Sequence, residues 1–337
     1  MNQFSSIPLQ DEVLLSNTDS KILAQLSQGK LVSGEEIGEA LGVSRAYVWK
    51  RISALKEQGL RVLSVPGEGY RLPPGYEVIQ PSVLTEYLTR PLPLLRCCWS
   101  LPSTNVAAAA LAEAFPTDEF LLLSEMQTAG RGRRGKHWHS PLGADLYLSY
   151  KVSFESGATA LQGLSLVIGV AIVTALRRLA PQAELSLKWP NDIYYEGRKL
   201  SGILVEVCGD VNGLCHAIIG VGVNASFTSE NTVEQPVASI LEVLPDVERH
   251  QWVAAIINEI RQSMTEFHKH GLSHSLSAWD QYDFLKGQEV IVYLGEQSVA
   301  GVATGISASG ALCVNVGNKL REFYAGEVSV RKHESAS

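Results

Sequence analysis

None of the five cysteines stands in a C-x-x-C pair: Cys97 and Cys98 are adjacent, and Cys208, Cys215 and Cys313 are scattered. That spacing suggests neither a thiol-redox motif nor a zinc site, and it fits reduced thiols in a cytoplasmic protein. Long apolar runs are missing as well. The longest, LSLVIGVAIVTAL, has 13 residues, contains Ser165 and Thr174 and ends at Arg177 and Arg178. It is too short to span a bilayer, so no membrane partner is expected and the run reads as a buried helix. The first residues, MNQFSSIPLQDEV, carry acids and no basic cluster, unlike a secretion signal. There is no excess of base: the net charge of −7 argues against general polyanion binding. The 337 residues are enough for two or three domains.

Local charge runs the other way near the amino terminus. Between Ser44 and Arg61 there are five bases (Arg45, Lys50, Arg51, Lys56, Arg61) and one acid, Glu57, a net of +4. The surrounding pattern predicts three helices and a hairpin. Ile22, Leu23 and Leu26 share one side of the first helix. Ser33 and Glu36 form a capping box for the second, which runs through Ile37 and Leu41. Gly42 permits a left-handed turn. Ser44 caps the third helix, in which Val48, Ile52 and Leu55 face inward at helical spacing. Arg45, Tyr47, Lys50 and Arg51 are left outside. RVLSV-PGEG-YRL then reads as a wing. A short helix pair, a tight turn and a basic outer face make a winged helix-turn-helix. Ser44, Arg45 and Tyr47 stand at the end that meets base edges, while Lys50 and Arg51 suit phosphates. A basic solvated helix in a protein-binding winged domain would look the same. Because one module contacts few bases, DNA binding predicts a homodimer on a two-fold site.

The stretch EMQTAGRGRRGKHWHSPLGADLYLSY holds two phosphate-binding patterns at once. Gly130, Gly132 and Gly135 spell G-x-G-x-x-G, and Gly130, Gly135 and Lys136 spell G-x-x-x-x-G-K. Both fail on context. A dinucleotide fingerprint needs a following helix and an acid about twenty residues on, but a loop and strand follow, and no acid lies between Tyr150 and Phe154. A P-loop needs Ser or Thr after its lysine, and His137 stands there. What remains is a glycine loop with Arg131, Arg133 and Arg134, a cradle for phosphate or carboxylate. Crowded like charges predict disorder in the absence of an anion and order in its presence. His137 and His139 form an H-x-H pair with no third ligand in view, weak grounds for a metal.

The chain as a whole reads as α+β: a winged helix-turn-helix over 1–72, a linker over 73–81 marked by Pro73, Pro74 and Pro81, a central mixed α/β domain with a largely antiparallel sheet over 82–282, and a small antiparallel barrel over 283–337. In the central domain LLRCCWS, FLLLSEMQ, ADLYLSYKVSF and CHAIIGVGVNAS read as strands. STNVAAAALAEAF reads as a capped helix with Ser103, Thr104 and Asn105 at its mouth. LSLKWPNDIYYEGRKLSGILVEV reads as strand, turn, strand, and QWVAAIINEIRQSMTEFHKH as an amphipathic helix.

STN at 103–105, Q-TAGRGRRG at 127–135, KWPND at 188–192, RKLSGILVE at 198–206 and IGVGVN at 219–224 closely resemble the bifunctional biotin–protein ligases that double as repressors of the biotin operon. The resemblance spans about residues 19 to 331, with the motifs in family order. It implies a ligase domain like that of class II aminoacyl-tRNA synthetases and an SH3-like carboxy-terminal barrel. It also implies a two-step, Mg²⁺- and ATP-dependent reaction: biotinyl-AMP is made from biotin and ATP, then the biotin is transferred to a lysine of a biotin carboxyl carrier protein. The same adenylate acts as corepressor on operator DNA and stabilises the homodimer. Lys199 carries over as the lysine bridging biotin carboxyl and α-phosphate, with Arg131, Arg133 and Lys188 as further cations. Asp192 suits Mg²⁺, a lysine partner or a turn cap. Ser103, Thr104, Asn105 and Gln127 match the biotin-head residues, with Arg131, Gly132, Arg133, Lys199 and Gly202 around them. Gly130, Gly135, Trp138, Asn191, Gly220, Gly222 and Asn224 fall on the ATP and adenylate side. His137 and His139 depart from the basic or aromatic residues often found there. Two other readings remain: a winged-helix regulator whose large domain senses a small acid without catalysis, and a ligase for lipoate.

Overall fold

Three helices and a wing open the chain: α1 (Asn17–Leu26), α2 (Gly34–Leu41), α3 (Arg45–Glu57) and the hairpin of β1 (Leu63–Val65) with β2 (Gly69–Arg71). The structure, a computed structural model, describes residues 7–332 apart from 28, 74, 75, 93, 144, 156, 211, 212, 226–235 and 327. Pro74 and both ends of the expected domains, 1–6 and 333–337, lie outside the described residues. The capping signals act as read. Ser33 Oγ accepts from Glu36 N while Glu36 returns to Ser33 N, Gly42 sits at φ 67°, and Ser44 Oγ accepts from Tyr47 N. Val48, Ile52 and Leu55 are buried against Ile22, Leu23, Leu26 and Ile37.

The winged module does not hang on a free linker. Its core also takes in Trp99 and Leu142, with Tyr76, Val78 and Met126 packed alongside, all from beyond residue 72. Trp99 Nε1 donates to Gln58 Oε1 at the end of α3 (2.8 Å). The stretch expected to be a linker runs against the central domain: Ile79 is buried and its N–H reaches Glu125 Oε1 (2.8 Å), and Gln80 N reaches His250 Nε2 (2.9 Å). Pro81 opens a short helix, α4 (Pro81–Glu86).

The central sheet has seven strands: β3 (Leu95–Cys98), β4 (Phe120–Ser124), β5 (Leu146–Phe154), β6 (Leu185–Lys188), β7 (Asp192–Tyr195), β8 (Arg198–Gly209) and β9 (Cys215–Val223), in spatial order β3-β4-β5-β9-β8-β7-β6. β3 and β4 are parallel and every other pairing in it is antiparallel. The segment 185–207, expected as strand, turn, strand, holds a second turn at Glu196 (φ 48°) and Gly197 (φ 75°). Two consecutive positive φ values make the two-residue hairpin connection, and Glu at its first position hid the signal. Alternation along the strands separates two cores. Phe120, Leu122 and Ile218 face α5 (Thr104–Ala114). Leu121, Leu123, Ile219 and Val221 face α6 (Leu164–Leu179) and α8 (Arg249–His270), with the short α7 (Ile240–Val243) between these helices in sequence.

After α9 (Leu276–Tyr282) come β10 (Glu289–Leu294), β11 (Gln297–Ile306), β12 (Leu312–Val316), β13 (Lys319–Phe323) and β14 (Val328–Lys332), an antiparallel sheet ordered β13-β12-β11-β10-β14. Trp189 Nε1 donates to Gly310 O (3.0 Å) and Phe284 N to Leu187 O (2.9 Å), so this sheet is fixed to β6. Among the described residues no helix is long and apolar enough to cross a membrane.

One buried charge pair ties these parts together. Arg249 at the start of α8 meets Glu125 after β4 (2.7 Å), both nearly inaccessible, and also donates to the Glu77 and Asp145 carbonyls. Burial lowers the Arg249 pKa, but Glu125, Tyr76 and Tyr147 outweigh it and hold the guanidinium charged. Removing one member strands the other in a dry interior. Arg249→Met is expected to cost about 3–5 kcal/mol, measured as a fall in the guanidinium denaturation midpoint, and Glu125→Met together with Arg249→Met to recover only part of it, because Ile79 N and the Glu77 and Asp145 carbonyls then lose their partners.

Candidate functional site

Pleat parity explains the site. Gly220 and Gly222 are two apart on β9, so they open onto one face, the face that carries α5. Gly202 lies directly opposite Gly222, and Asp192 directly opposite Gly202. Cross-strand partners point to the same side, so three neighbouring strands place two glycines and a carboxylate in one row. A Cβ at Gly222 would come within 2.5 Å of Trp138 Cε2, and one at Gly202 within 2.8 Å of Trp138 Cζ3. The indole of Trp138 therefore lies on a floor that only glycine provides. Gly220 is excluded from a side chain in the same way by Asn105.

Lys199 should face away from this row, because it is three residues from Gly202. A bulge corrects it: Ile193 pairs with Ser201 and Tyr194 with Lys199, leaving Leu200 as the extra residue. One added residue re-aims the side chain. Lys199 Nζ then pairs with Asp192 Oδ1 (2.8 Å) and stands 5.3 Å from the Trp138 ring. Its carbonyl accepts from Asn224 Nδ2 (2.9 Å).

The mouth of α5 is fixed differently from the expected cap. Ser103 makes no side-chain cap bond; Gln127 Oε1 instead accepts from Thr104 N (2.8 Å) and Thr104 Oγ1 (3.2 Å). Gln127 Nε2 donates to Ser140 Oγ (3.0 Å). At the other end of α5, Lys151 Nζ donates to the carbonyls of Phe115, Pro116 and Asp118. Asn105 is held by Ser149 Oγ (2.6 Å) and Glu206 Oε2 (2.8 Å). Ser103, Thr104 and Asn105 are all buried.

The glycine–arginine loop folds as a small hairpin. Arg131 bridges His137, Trp138 N donates to Gly130 O (2.9 Å), and Gly132 N to Lys136 O (2.7 Å). Gly130 has no room for a Cβ against the Trp138 carbonyl and Ser140. Arg134 and Gly135 both take positive φ at the tip. The repulsion expected among the arginines is relieved inside the protein. Arg131 pairs with Glu206 (2.8 Å), and Arg133 donates to Asn191 Oδ1 (3.0 Å) and to the Ala325 carbonyl of the carboxy-terminal sheet. Arg134 and Lys136 are exposed. Burial lowers the Arg133 pKa, offset in part by Asp192. Lys188 Nζ donates to Tyr194 Oη (3.1 Å); burial lowers its pKa, Asp192 opposes that, and Lys199, Arg331 and Lys332 push it lower.

The site residues from Ser103 to Asn224 thus converge on one sheet face and the loop over it. Gly132 and Gly135 serve the loop's turn, and Asn191 links Arg133 to the Ile203 carbonyl. Glu206, Ser149 and Ser140 were not singled out in the sequence. Glu206 closes the motif RKLSGILVE, but nothing in a β-strand carboxylate announces two partners. His137 and His139 are exposed, and no cluster of three metal-binding side chains occurs among the described residues. Asp192, one candidate for Mg²⁺, is engaged by Lys199.

On the face expected to read DNA, Ser44, Arg45, Tyr47 and Lys50 are exposed. Arg51 departs from expectation. Its guanidinium turns back onto Asp19 of α1, which is buried, with Nε to Oδ1 at 2.8 Å. It lies three residues after buried Val48 and four before buried Leu55, so it borders the packed side.

Residues 97–224 match the biotin/lipoate A/B protein ligase family, residues 19–71 a helix-turn-helix domain, and residues 286–331 the biotin protein ligase C-terminal domain. The chain is 34% identical over 329 residues to the bifunctional ligase/repressor BirA of Escherichia coli, covering 93% of this chain and 97% of the relative. It is 32% identical to the biotin–[acetyl-CoA-carboxylase] ligase of Mycobacterium tuberculosis, covering 67% of this chain and 85% of that one. A solved biotin protein ligase from Aquifex aeolicus, in complex with biotin and ATP, superposes with a TM-score of 0.61 at 25% identity, covering 72% of this chain and 100% of that one.

The glycine floor has a direct test. Gly222→Ala should lift the Trp138 indole, shifting its Nε1–H resonance in ¹⁵N-indole-labelled protein, whereas Val207→Ala at an exposed position of β8 leaves it in place.

Proposed function

The chain belongs to the biotin protein ligases that carry a helix-turn-helix repressor domain, and on that premise we propose how its residues divide the two steps. A biotin carboxylate oxygen attacks the α-phosphorus of ATP, the bond to the bridging β-phosphate oxygen breaks, and pyrophosphate leaves. A lysine amine on a biotin carboxyl carrier protein then attacks the acyl carbon. AMP leaves and the amine gives up its proton.

The observation that carries this reading is Lys199, held by Asp192 beside the indole of Trp138 on a floor without side chains. Two anions must meet in the first step, and a fixed cation between them offsets their repulsion and the charge developing at phosphorus. The biotin head binds among Ser103, Thr104, Asn105 and Gln127 at the mouth of α5. Its tail runs along Gly220 toward Gly202, and the adenylate lies by Trp138, Gly222, Asn191 and Asn224 under the loop of Gly130, Gly132 and Gly135. Arg131 and Arg133 close on the carboxylate and phosphates. The Arg131–Glu206 pair is half exposed and worth no more than about 1 kcal/mol, so an arriving anion can take Arg131 over. Lys188 adds positive potential behind Lys199. Mg²⁺ would be brought in with ATP as part of that substrate, because Asp192 is a single carboxylate already paired with Lys199. Its part is to neutralise the phosphates; Asp192 orients Lys199.

The division into 1–72, 73–81, 82–282 and 283–337 follows these tasks. Two winged modules on a homodimer read a two-fold operator, with Ser44, Arg45, Tyr47 and Lys50 turned to DNA and Arg51 acting indirectly by bracing α3 against α1. The adenylate favours the dimer and so acts as corepressor. This work belongs in the cytoplasm, where carrier, ATP and DNA meet.

Incubation with Mg·ATP, labelled biotin and a carrier domain should place label on one carrier lysine; no pyrophosphate and no label would leave a non-catalytic sensor. Lys199→Ala should lower biotin-dependent pyrophosphate release by about 10²–10³ with an unchanged circular dichroism spectrum. Sedimentation velocity should show a larger species with biotinyl-AMP than without it.

A further inference from the structure

Trp49 is left 62% exposed on α3, more open than Tyr47 at 41% on the same helix. A helix turns about 100° per residue, so Arg45, Trp49 and Lys56 share one stripe. This stripe borders the wing: Lys56 Nζ donates to Ser64 Oγ on β1 (2.7 Å), and the neighbouring Leu63 is 41% exposed. Arg45 packs near Gly34 and Tyr70 at the amino-terminal end of the same edge. The indole thus stands at the rim between recognition helix and wing, one turn past the helix start, with Arg45 and Lys56 along its own stripe and Lys50 about 100° round the helix.

The ring stays 62% exposed among the described residues, and the charge around it selects a polyanion. A large flat apolar side chain among phosphate-binding cations, on the helix that enters the major groove, has one apolar feature to meet there: the C5-methyl of thymine. We propose that Trp49 is a specificity-determining residue that reads thymine methyls in each operator half-site, while Arg45 and Lys50 supply base-edge and phosphate contacts. This rests on the module binding operator DNA and adds to that reading a base preference set by methyl contact.

The test uses the full chain with biotin and Mg·ATP. Duplexes are selected from a random pool by the wild type, and the winning duplex is resynthesised with uracil replacing each thymine in turn. Uracil keeps every hydrogen-bonding edge and removes only the methyl. Wild type should lose about fourfold in affinity at one or two thymines per half-site, the factor of one buried methyl. Trp49→Ala should bind the parent duplex more weakly and show no response to uracil at those positions, and Trp49→Phe should keep part of it. If no uracil weakens the wild type, or if Trp49→Ala responds to uracil as the wild type does, the proposal is overturned. If the wild type enriches no duplex, the DNA-binding reading itself fails and Trp49's role falls with it.

Discussion

A trough on a β-sheet requires neighbouring strands to lack side chains at one register, and here that requirement falls on Gly202 and Gly222, which face each other across β8 and β9. With a methyl at either position the Trp138 ring could not lie where it does. Everything else in the site takes its place from that row. Asp192 arrives opposite Gly202 because β7 is in register with β8, Lys199 is swung onto the same face by the Leu200 bulge, and Asn105 comes down over Gly220 from α5. The sheet is antiparallel at this point, so cross-strand neighbours from three hairpin-linked strands can be set to one side without a long connection between them.

The electrostatics follow from the same economy of space. A site meant for a carboxylate and phosphates must gather cations, and gathered cations destabilise a protein that has no anion to set against them. Four of these cations have an internal acceptor of modest strength, Asp192 for Lys199, Glu206 for Arg131, Asn191 and the Ala325 carbonyl for Arg133 and Tyr194 for Lys188, while Arg134 and Lys136 stand exposed at the tip. None of these is the deeply buried kind of pair that Arg249 and Glu125 make. That contrast separates groups that can change partners from groups that hold the scaffold. Stronger internal partners would steady the resting site and compete with the ligand; weaker ones would leave the loop to repel itself.

Much of this was legible in the sequence, for reasons that can be named. Caps, glycine turns and apolar periodicity are local, so the winged module and the strands were readable down to the Ser33–Glu36 box and Gly42. The rejection of both phosphate-loop patterns also rested on local context, and the loop indeed leads through a turn into β5. What escaped was set by contacts between distant segments. Arg51 looked free because Asp19 lies 32 residues away. Ser103 looked like a cap because Gln127, 23 residues on from Thr104, supplies the bond instead. The turn at Glu196-Gly197 was hidden by an unusual first residue, and the Leu200 bulge has no sequence signature at all. The loop's partners escaped because Arg131 meets Glu206 on β8 and Arg133 meets the Ala325 carbonyl in the turn between β13 and β14, both far along the chain.

The junction between the winged module and the sheet gives the glycine–arginine loop a second importance. Met126 lies just before Gln127 and Leu142 just after Pro141, so the loop's two ends are both rooted in the module's hydrophobic core. Those ends are joined to each other by Gln127 N to Ser140 O (3.2 Å) and by Gly143 N to Glu125 O (2.9 Å), and Glu125 carries the Arg249 pair. A close-packed core does not deform continuously; it keeps its arrangement or adopts another. The root of the loop therefore moves only together with the packing beneath α3, whose last turn is bonded through Gln58 to Trp99. In one chain, the segment that bears cations over the glycine trough and the helix that bears Trp49 rest on the same few side chains.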